Sequence, residues 1–134
     1  MNIFKSEQDM LEVLDAQDQL VLRCAAGRIR FWDFCDQNHD FYWYYALDGH
    51  ESDESEKLLL LKHKRRIEPH RIIAEEILST VCKDEDMKNP LYIQAGRFGS
   101  DVALEKLRQV AKEHLKWSGQ QSDEQNGASP RRLS

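Results

Sequence analysis

Several patterns that identify common classes of protein are missing from this sequence. It has no run of roughly 18 apolar residues, the length that a membrane-spanning helix requires. Its first 20 residues alternate apolar and acidic side chains, unlike a signal peptide, which begins with positive charge and continues with an unbroken apolar run. The three cysteines are odd in number and widely spaced, which excludes a disulfide framework and a paired-cysteine zinc or redox motif. We therefore expect a single cytoplasmic domain that forms its core without metal, cofactor or disulfide.

The charge balance favours a protein partner over nucleic acid. The chain of 134 residues has a formal net charge of −5 and a pI near 5.5. Binding to DNA or RNA requires Lys and Arg side chains that neutralise phosphates, so this acidity disfavours a nucleic-acid interface. The same acidity attracts a basic surface, and we expect a protein partner of that kind.

Aromatic residues are concentrated in one short segment. Eight of the twelve aromatics lie between residues 31 and 45. A buried aromatic side chain removes roughly 150–250 Å² of surface from water and needs a deep core to do so. Such density exceeds what one face of a small sheet can hide, so it predicts that some of these rings contact a partner.

The N-terminal half predicts one helix followed by strands. Ser6, with an acidic residue three positions later, is typical of a helix N-cap, and apolar residues then recur at helical spacing to about Ala16. From Leu20 the apolar residues alternate with a period of two on both sides of Ala26 and Gly27, which predicts a β-hairpin. Residues 41–47 predict a third strand. The leucine run at 57–63 fits either a buried strand or a helix, and we favour a strand.

The C-terminal half predicts helices around one short strand. Pro69 suits a first helical turn and predicts a helix over 69–82, followed by a short strand at 91–95. Ser100 caps a last helix that ends near Trp117. The predicted fold is α+β, with a helix, a four-stranded antiparallel meander, and then helix, short strand and helix within one domain over 1–118. Residues 119–134 are polar and predict a disordered tail.

Alternation across the predicted sheet separates a core face from a second face. The second face combines arginines with aromatic rings, a composition enriched in protein-binding hot spots. An acidic loop at 48–56 provides further candidate contacts. The predicted partner-binding residues are Arg23, Arg28, Arg30, Trp32, Phe34, Tyr42 and Tyr44 on the sheet, with Asp48, Glu51, Asp53 and Glu54 in the loop. A second copy of the chain, giving a homodimer, is another occupant that fits this face.

Two alternative functions use the same region. Rings interleaved with arginine on an open sheet are also typical of surfaces that stack single-stranded nucleic acid. A small hydrolase or metal-dependent enzyme would instead use loop residues as ligands or as an acid–base pair. The residues for that alternative are Cys35, Asp36, His39, Asp40, Asp48 and His50, and their spacings match no established ligand pattern.

Two further segments are candidate anion sites. Residues 62–66, with His70 and Arg71, form the main basic concentration, which is typical of a solvated surface as well as of a phosphate contact. Residues 96–100 lie between a predicted strand and a predicted helix, where free backbone N–H groups favour an anion. They lack the lysine of a P-loop, so turn geometry is the simpler interpretation.

The absence of a catalytic motif favours binding over catalysis. We expect a non-catalytic protein-binding domain, such as a small acidic inhibitor, immunity factor or adaptor that docks on a basic partner.

Overall fold

Helices dominate the computed structural model, which describes residues 4–38 and 40–118. The helices of the first half are α1 (Glu7–Ala25), α2 (Phe31–Asn38), α3 (Phe41–Tyr44) and α4 (Glu54–Lys62). Those of the second half are α5 (Lys64–Ile72), a π-helical turn (Ile73–Leu78) that continues it, a 3₁₀-helix (Asp84–Lys88), α6 (Pro90–Gln94) and α7 (Ser100–His114). His39 and the predicted tail at 119–134 lie outside the described residues. None of the helices described has the length and apolar character needed to cross a membrane.

The predicted α+β fold with its four-stranded antiparallel meander is wrong. Within the two described ranges, the only extended pairing is an isolated parallel bridge between Val81 and Phe98. The strands predicted at 57–63 and 91–95 fall mainly on α4 and α6, and that predicted at 41–47 falls on α3 and the turns after it. The chain is mostly helical.

Helix α1 begins where the sequence predicts but continues through the proposed first strand. Ser6 Oγ accepts a hydrogen bond from the Asp9 N–H at 3.1 Å, which confirms the predicted cap. Beyond residue 16 the apolar side chains fit a helical stripe as well as a strand, because periods of two and of 3.6 both place Leu20 and Cys24 on the same face. The buried residues of α1 are Met10, Leu14, Gln17, Leu20, Val21, Cys24 and Ala25.

Gly27 ends α1 and does not turn a hairpin. Its φ of 80° is left-handed, and its N–H donates to the Cys24 carbonyl at 3.0 Å. The Arg28 N–H donates to the Arg23 carbonyl at 2.9 Å, and the two bonds together form a Schellman motif. A glycine that accepts positive φ serves a helix end and a hairpin equally well, which is why the local sequence does not distinguish them.

The aromatic segment divides between two core clusters. Phe31 and Phe34 from α2 pack with the C-terminal half of α1, α7 and the π-helical turn. Phe41 and Tyr42 from α3 pack with the N-terminal half of α1 and with α5. Helix α1 thus contributes to both clusters, and each contains part of the aromatic density that the sequence concentrates in one place.

Pro69 lies inside α5, so the predicted start of this helix is wrong. The helix begins at Lys64, and Pro69 is itself fully buried. Proline has no N–H to donate to the carbonyl four residues earlier, but neighbouring packing can still hold it in a helix. Polar contacts add to that packing: Asp18 on α1 accepts a hydrogen bond from His70 at 2.7 Å and forms an ion pair with Arg66 at 3.0 Å.

We predict that Gly27→Ala lowers the free energy of unfolding by about 1 kcal/mol, the cost of a left-handed alanine. An added Cβ would meet nothing within 4 Å, so the loss arises from the backbone alone. Urea unfolding followed by circular dichroism measures it. Gly27→Asn is the control, because asparagine tolerates this conformation and should cost less. Equal stability of the alanine variant and the natural chain would contradict this helix end.

Candidate functional site

The predicted aromatic and arginine face does not exist as one surface, because its sheet is absent. Its exposed members are separated along α1, the following loop and α2, where Arg30 pairs with Asp33 at 3.2 Å. Trp32 is 38% exposed and donates to Asp84. Phe34 and Tyr42 belong to the core, and burial raises the pKa of Tyr42. Arg28 is exposed on the loop after α1.

Arg23 and Tyr44, however, line one cleft between α1 and the α2–α3 region. We name it the α1 cleft, and its volume is about 600 Å³. This volume is in the range of protein sites that bind small molecules or peptide side chains. The lining residues are Val13, Ala16, Gln17, Leu20 and Arg23 from α1, and Gln37, Asn38, Phe41, Tyr44 and Tyr45 opposite.

The α1 wall follows from helical spacing. Positions 13, 16, 17, 20 and 23 recur every three or four residues and therefore share one side of the helix. They extend over ten helical rises, or roughly 15 Å. The wall is mostly apolar and ends at Arg23, whose guanidinium has no hydrogen-bond or ion-pair partner among residues 4–38 and 40–118.

Stacked rings hold the opposite wall. Tyr45 stacks on Phe4 with centroids 5.3 Å apart, and its edge meets Phe41 at the same distance. Tyr44 contacts Tyr45 edge to face at 4.9 Å and remains 71% exposed. The left-handed φ of 52° at Asp40 turns the chain between α2 and α3, so that these rings face α1. Tyr44 is therefore a large exposed ring on a firmly packed support.

Two buried carboxamides line the cleft. Gln17 Nε2 donates to Asn38 Oδ1 at 2.6 Å, and the two residues are only 8% and 7% exposed. Within the described part of the chain, Gln17 Oε1 and Asn38 Nδ2 have no hydrogen-bond partner. A buried polar atom without a partner costs roughly 1–3 kcal/mol. A ligand that offers one donor and one acceptor, as a peptide group does, would satisfy both atoms.

The predicted acidic loop makes mostly internal contacts. The His50 ring bonds to Asp48 and Glu51, and chiefly the hydrogen bond that it donates to Asp48 raises the pKa of His50. Asp53 caps α4 by accepting from the Glu56 N–H at 2.9 Å. Glu54 is exposed in the first turn of α4, where its charge favours the helix dipole.

Of the residues of the metal or enzyme alternative, the structure brings together Asp48 and His50, which are hydrogen-bonded to each other. In the described ranges, no group of three or more His, Cys, Asp or Glu side chains could hold a metal ion. Burial raises the pKa of Cys35 to about 11 and that of Cys24 to about 12, so both thiols stay protonated at neutral pH. Asp36 and Asp40 are exposed, and His39 lies outside the described residues.

A carboxylate of the chain itself occupies the predicted anion turn at 96–100. Asp84 accepts from the Ser100 N–H and hydroxyl, each at 2.8 Å, at the start of α7. Hydrogen bonds from Ser100 lower the pKa of Asp84. A phosphate at this N-terminus would have to displace Asp84, so the turn is a structural cap.

The basic segment at 62–66 is largely used in ion pairs with α1. Lys62 and His63 contact Glu7 at 2.8 and 2.6 Å, and these two hydrogen bonds lower the pKa of Glu7. Arg66 contacts Asp15 at 2.7 Å in addition to Asp18. These pairs attach α4 and α5 to α1.

The sequence interpretation did not identify Gln17 or Asn38. One signal was present, since Gln17 lies three residues from Leu14 and from Leu20, on the apolar stripe of α1. A polar residue at a core position indicates a partner or a function. Its partner is 21 residues away, and the fold alone brings it close.

The lining residues of the α1 cleft supply hydrogen bonds and one positive charge, but no carboxylate, imidazole, thiol or primary hydroxyl comes from the part of the wall that the structure describes. Such a set can bind and orient a ligand. In comparisons with known proteins, no family model, curated protein or solved structure matches this chain.

We predict that Gln17→Leu alone lowers the free energy of unfolding by about 1–2 kcal/mol, because Asn38 loses its donor while it stays buried. Adding Asn38→Leu should recover that loss in full or more, since both polar partners and their two unsatisfied atoms are then replaced by apolar groups. Urea unfolding of the two variants and the natural chain tests this. Additive losses in the double variant would show that the amides do not act as a pair.

We also predict that Asp84→Ala costs about 0.5 kcal/mol at neutral pH, the low end for an exposed helix cap. Because the pKa of Asp84 is lowered by folding, its stabilisation is complete above the ordinary aspartate pKa and declines as the pH falls through the lowered value. Urea unfolding curves of variant and natural chain should converge in acid. Glu85→Ala is the control. If the difference in free energy of unfolding between Asp84→Ala and the natural chain stays constant with pH, the charge of Asp84 has no role.

Proposed function

We propose that this chain is a non-catalytic protein-binding module that accepts a short segment of a partner protein in the α1 cleft. One observation carries the proposal: two carboxamides, more than nine-tenths buried, keep a free acceptor and a free donor in an open cleft with an aromatic wall. The described chain leaves both atoms unsatisfied, and binding of a complementary group would recover that cost.

The dimensions suit an extended peptide. An α1 wall of roughly 15 Å matches four or five extended residues at about 3.3–3.6 Å each. Main-chain amides of such a segment can pair with Gln17 and Asn38, while its side chains contact Leu20 and the ring of Tyr44. Tyrosine is among the residues that dominate binding energy in protein interfaces.

Charge supports a basic partner. The net charge of −5 would speed association with a positive surface. Glu12 is exposed one helical turn before Ala16, beside the α1 wall, and it would meet a Lys or Arg that flanks the bound segment. This arrangement fits a cytoplasmic inhibitor, immunity factor or adaptor whose target is basic.

A random-peptide display library selected against the full chain should yield apolar or aromatic peptides flanked by Lys or Arg. A synthetic peptide from that selection should bind with Kd near the micromolar range, and Tyr44→Ala should weaken it about tenfold. The Gln17→Leu/Asn38→Leu double variant should weaken it at least as much while it stays folded. Amide chemical-shift changes should map to residues 13–23 and 37–45.

Tyr92→Ala provides the matched control, because this tyrosine is also partly exposed but does not line the cleft. Equal loss of binding in the control would contradict the proposal. Failure to select any peptide, or shift changes confined to other helices, would also overturn it.

A further inference from the structure

A second pocket lies on another side of α1, where α5 and the end of α7 approach it. We name it the basic pocket, and its volume is about 220 Å³. The pocket is lined by Asp18, Gln19, Leu22, Arg65, Arg66, Pro69, His114, Leu115 and Lys116. Three parts of the sequence, separated by more than 40 residues in each case, therefore supply one concave surface.

Some cations of this pocket are paired with carboxylates of the chain and others are not. We call the unpaired ones unused. Arg66 bonds to Asp15 and Asp18, so its charge is already balanced within the fold. Arg65 and Lys116 are exposed, and neither has an ion pair or side-chain hydrogen bond among residues 4–38 and 40–118. The unused cations give the pocket a positive charge within an acidic protein.

Lys116 holds an unfavourable backbone conformation. Its φ is 58°, a value that costs a residue with a side chain roughly 1 kcal/mol relative to glycine. This residue follows the end of α7, a position where helices commonly use glycine. The backbone conformation at position 116 thus favours glycine, yet the chain has a lysine there, and its cation lines the pocket.

Apolar groups complete the pocket. Leu22, Pro69 and Leu115 line it together with the cations. An apolar surface beside a charge lowers the local polarity and strengthens the attraction of a counter-ion. The pocket therefore combines positive charge with an apolar surface that can contact the hydrocarbon part of a ligand.

We propose that the basic pocket binds a small organic phosphate monoester. Arg65 offers a planar fork of donors that matches phosphate oxygens, and Lys116 adds a point charge. His114 and the Gln19 amide can donate to the remaining oxygens. The organic group lies on Leu22 and Leu115. A dianion matches two unused cations better than a single carboxylate does.

Phenyl phosphate is the probe for this proposal. Titration of the full chain, followed by calorimetry and amide chemical shifts, should give a Kd near 1 mM, with inorganic phosphate and phenylacetate both weaker. Arg65→Gln should weaken binding about tenfold, as expected when one charge-assisted contact is lost. Lys64→Gln, which removes the neighbouring charge outside the pocket, should change the affinity less than about twofold.

Lys116→Gly separates binding from folding. This variant should raise the midpoint of thermal unfolding, because glycine relieves the backbone, while it weakens phenyl phosphate binding about tenfold. If Lys64→Gln and Arg65→Gln weaken binding equally, the ligand responds to the overall positive charge of the region and not to this pocket, which would overturn the proposal. Tighter binding of phenylacetate, or no binding at about 10 mM probe, would overturn it as well.

Discussion

The continuity of α1 is the constraint on which the rest of this structure depends. One helix from Glu7 to Ala25 contributes apolar residues to both core clusters, so that α2 and α7 pack on its C-terminal half while α3 and α5 pack on its N-terminal half. Its remaining sides provide the wall of the α1 cleft and part of the basic pocket. A break in this helix would separate the two clusters and remove both concave surfaces. The Schellman motif at Gly27 fixes where α1 ends and how α2 folds back.

Within that framework, the carboxamide pair represents a compromise between stability and binding. Apolar residues at both positions 17 and 38 would extend the buried stripe of α1 without a desolvation cost. Gln17 instead lies next to Asn38 with hydrogen-bonding capacity left over. Sites of this kind are common where a protein must recognise a polar group, because the unsatisfied atoms favour the complex over the free state. The contacts of Asp18 differ from the carboxamide pair. They connect α1 to Arg66 and His70 of α5, so these polar groups have partners within the fold.

The sequence predicts local features of this fold better than it predicts the elements that contain them. Ser6 caps a helix as expected, and Gly27 is a required left-handed position, but the glycine belongs to a helix end. The leucine run after residue 57 is apolar enough for a buried strand, yet Leu58 and Leu61 are 68% and 67% exposed on α4. Burial is decided by tertiary packing, which short-range periodicity does not contain. The same limit applies to the site, since Arg23 and Tyr44 were identified but their joint cleft depends on α1 being helical throughout.

One buried side chain contacts a lining residue of each concave surface. His70 bonds to Asp18, which lines the basic pocket, and its ring lies 5.2 Å from that of Phe41, which lines the α1 cleft. A contact path of this kind transmits an effect only if the intermediate group has two arrangements of similar energy. His70 is 3% exposed and held on both sides, so moving it would break a buried hydrogen bond as well as ring packing. We therefore expect no coupling between the two surfaces through His70.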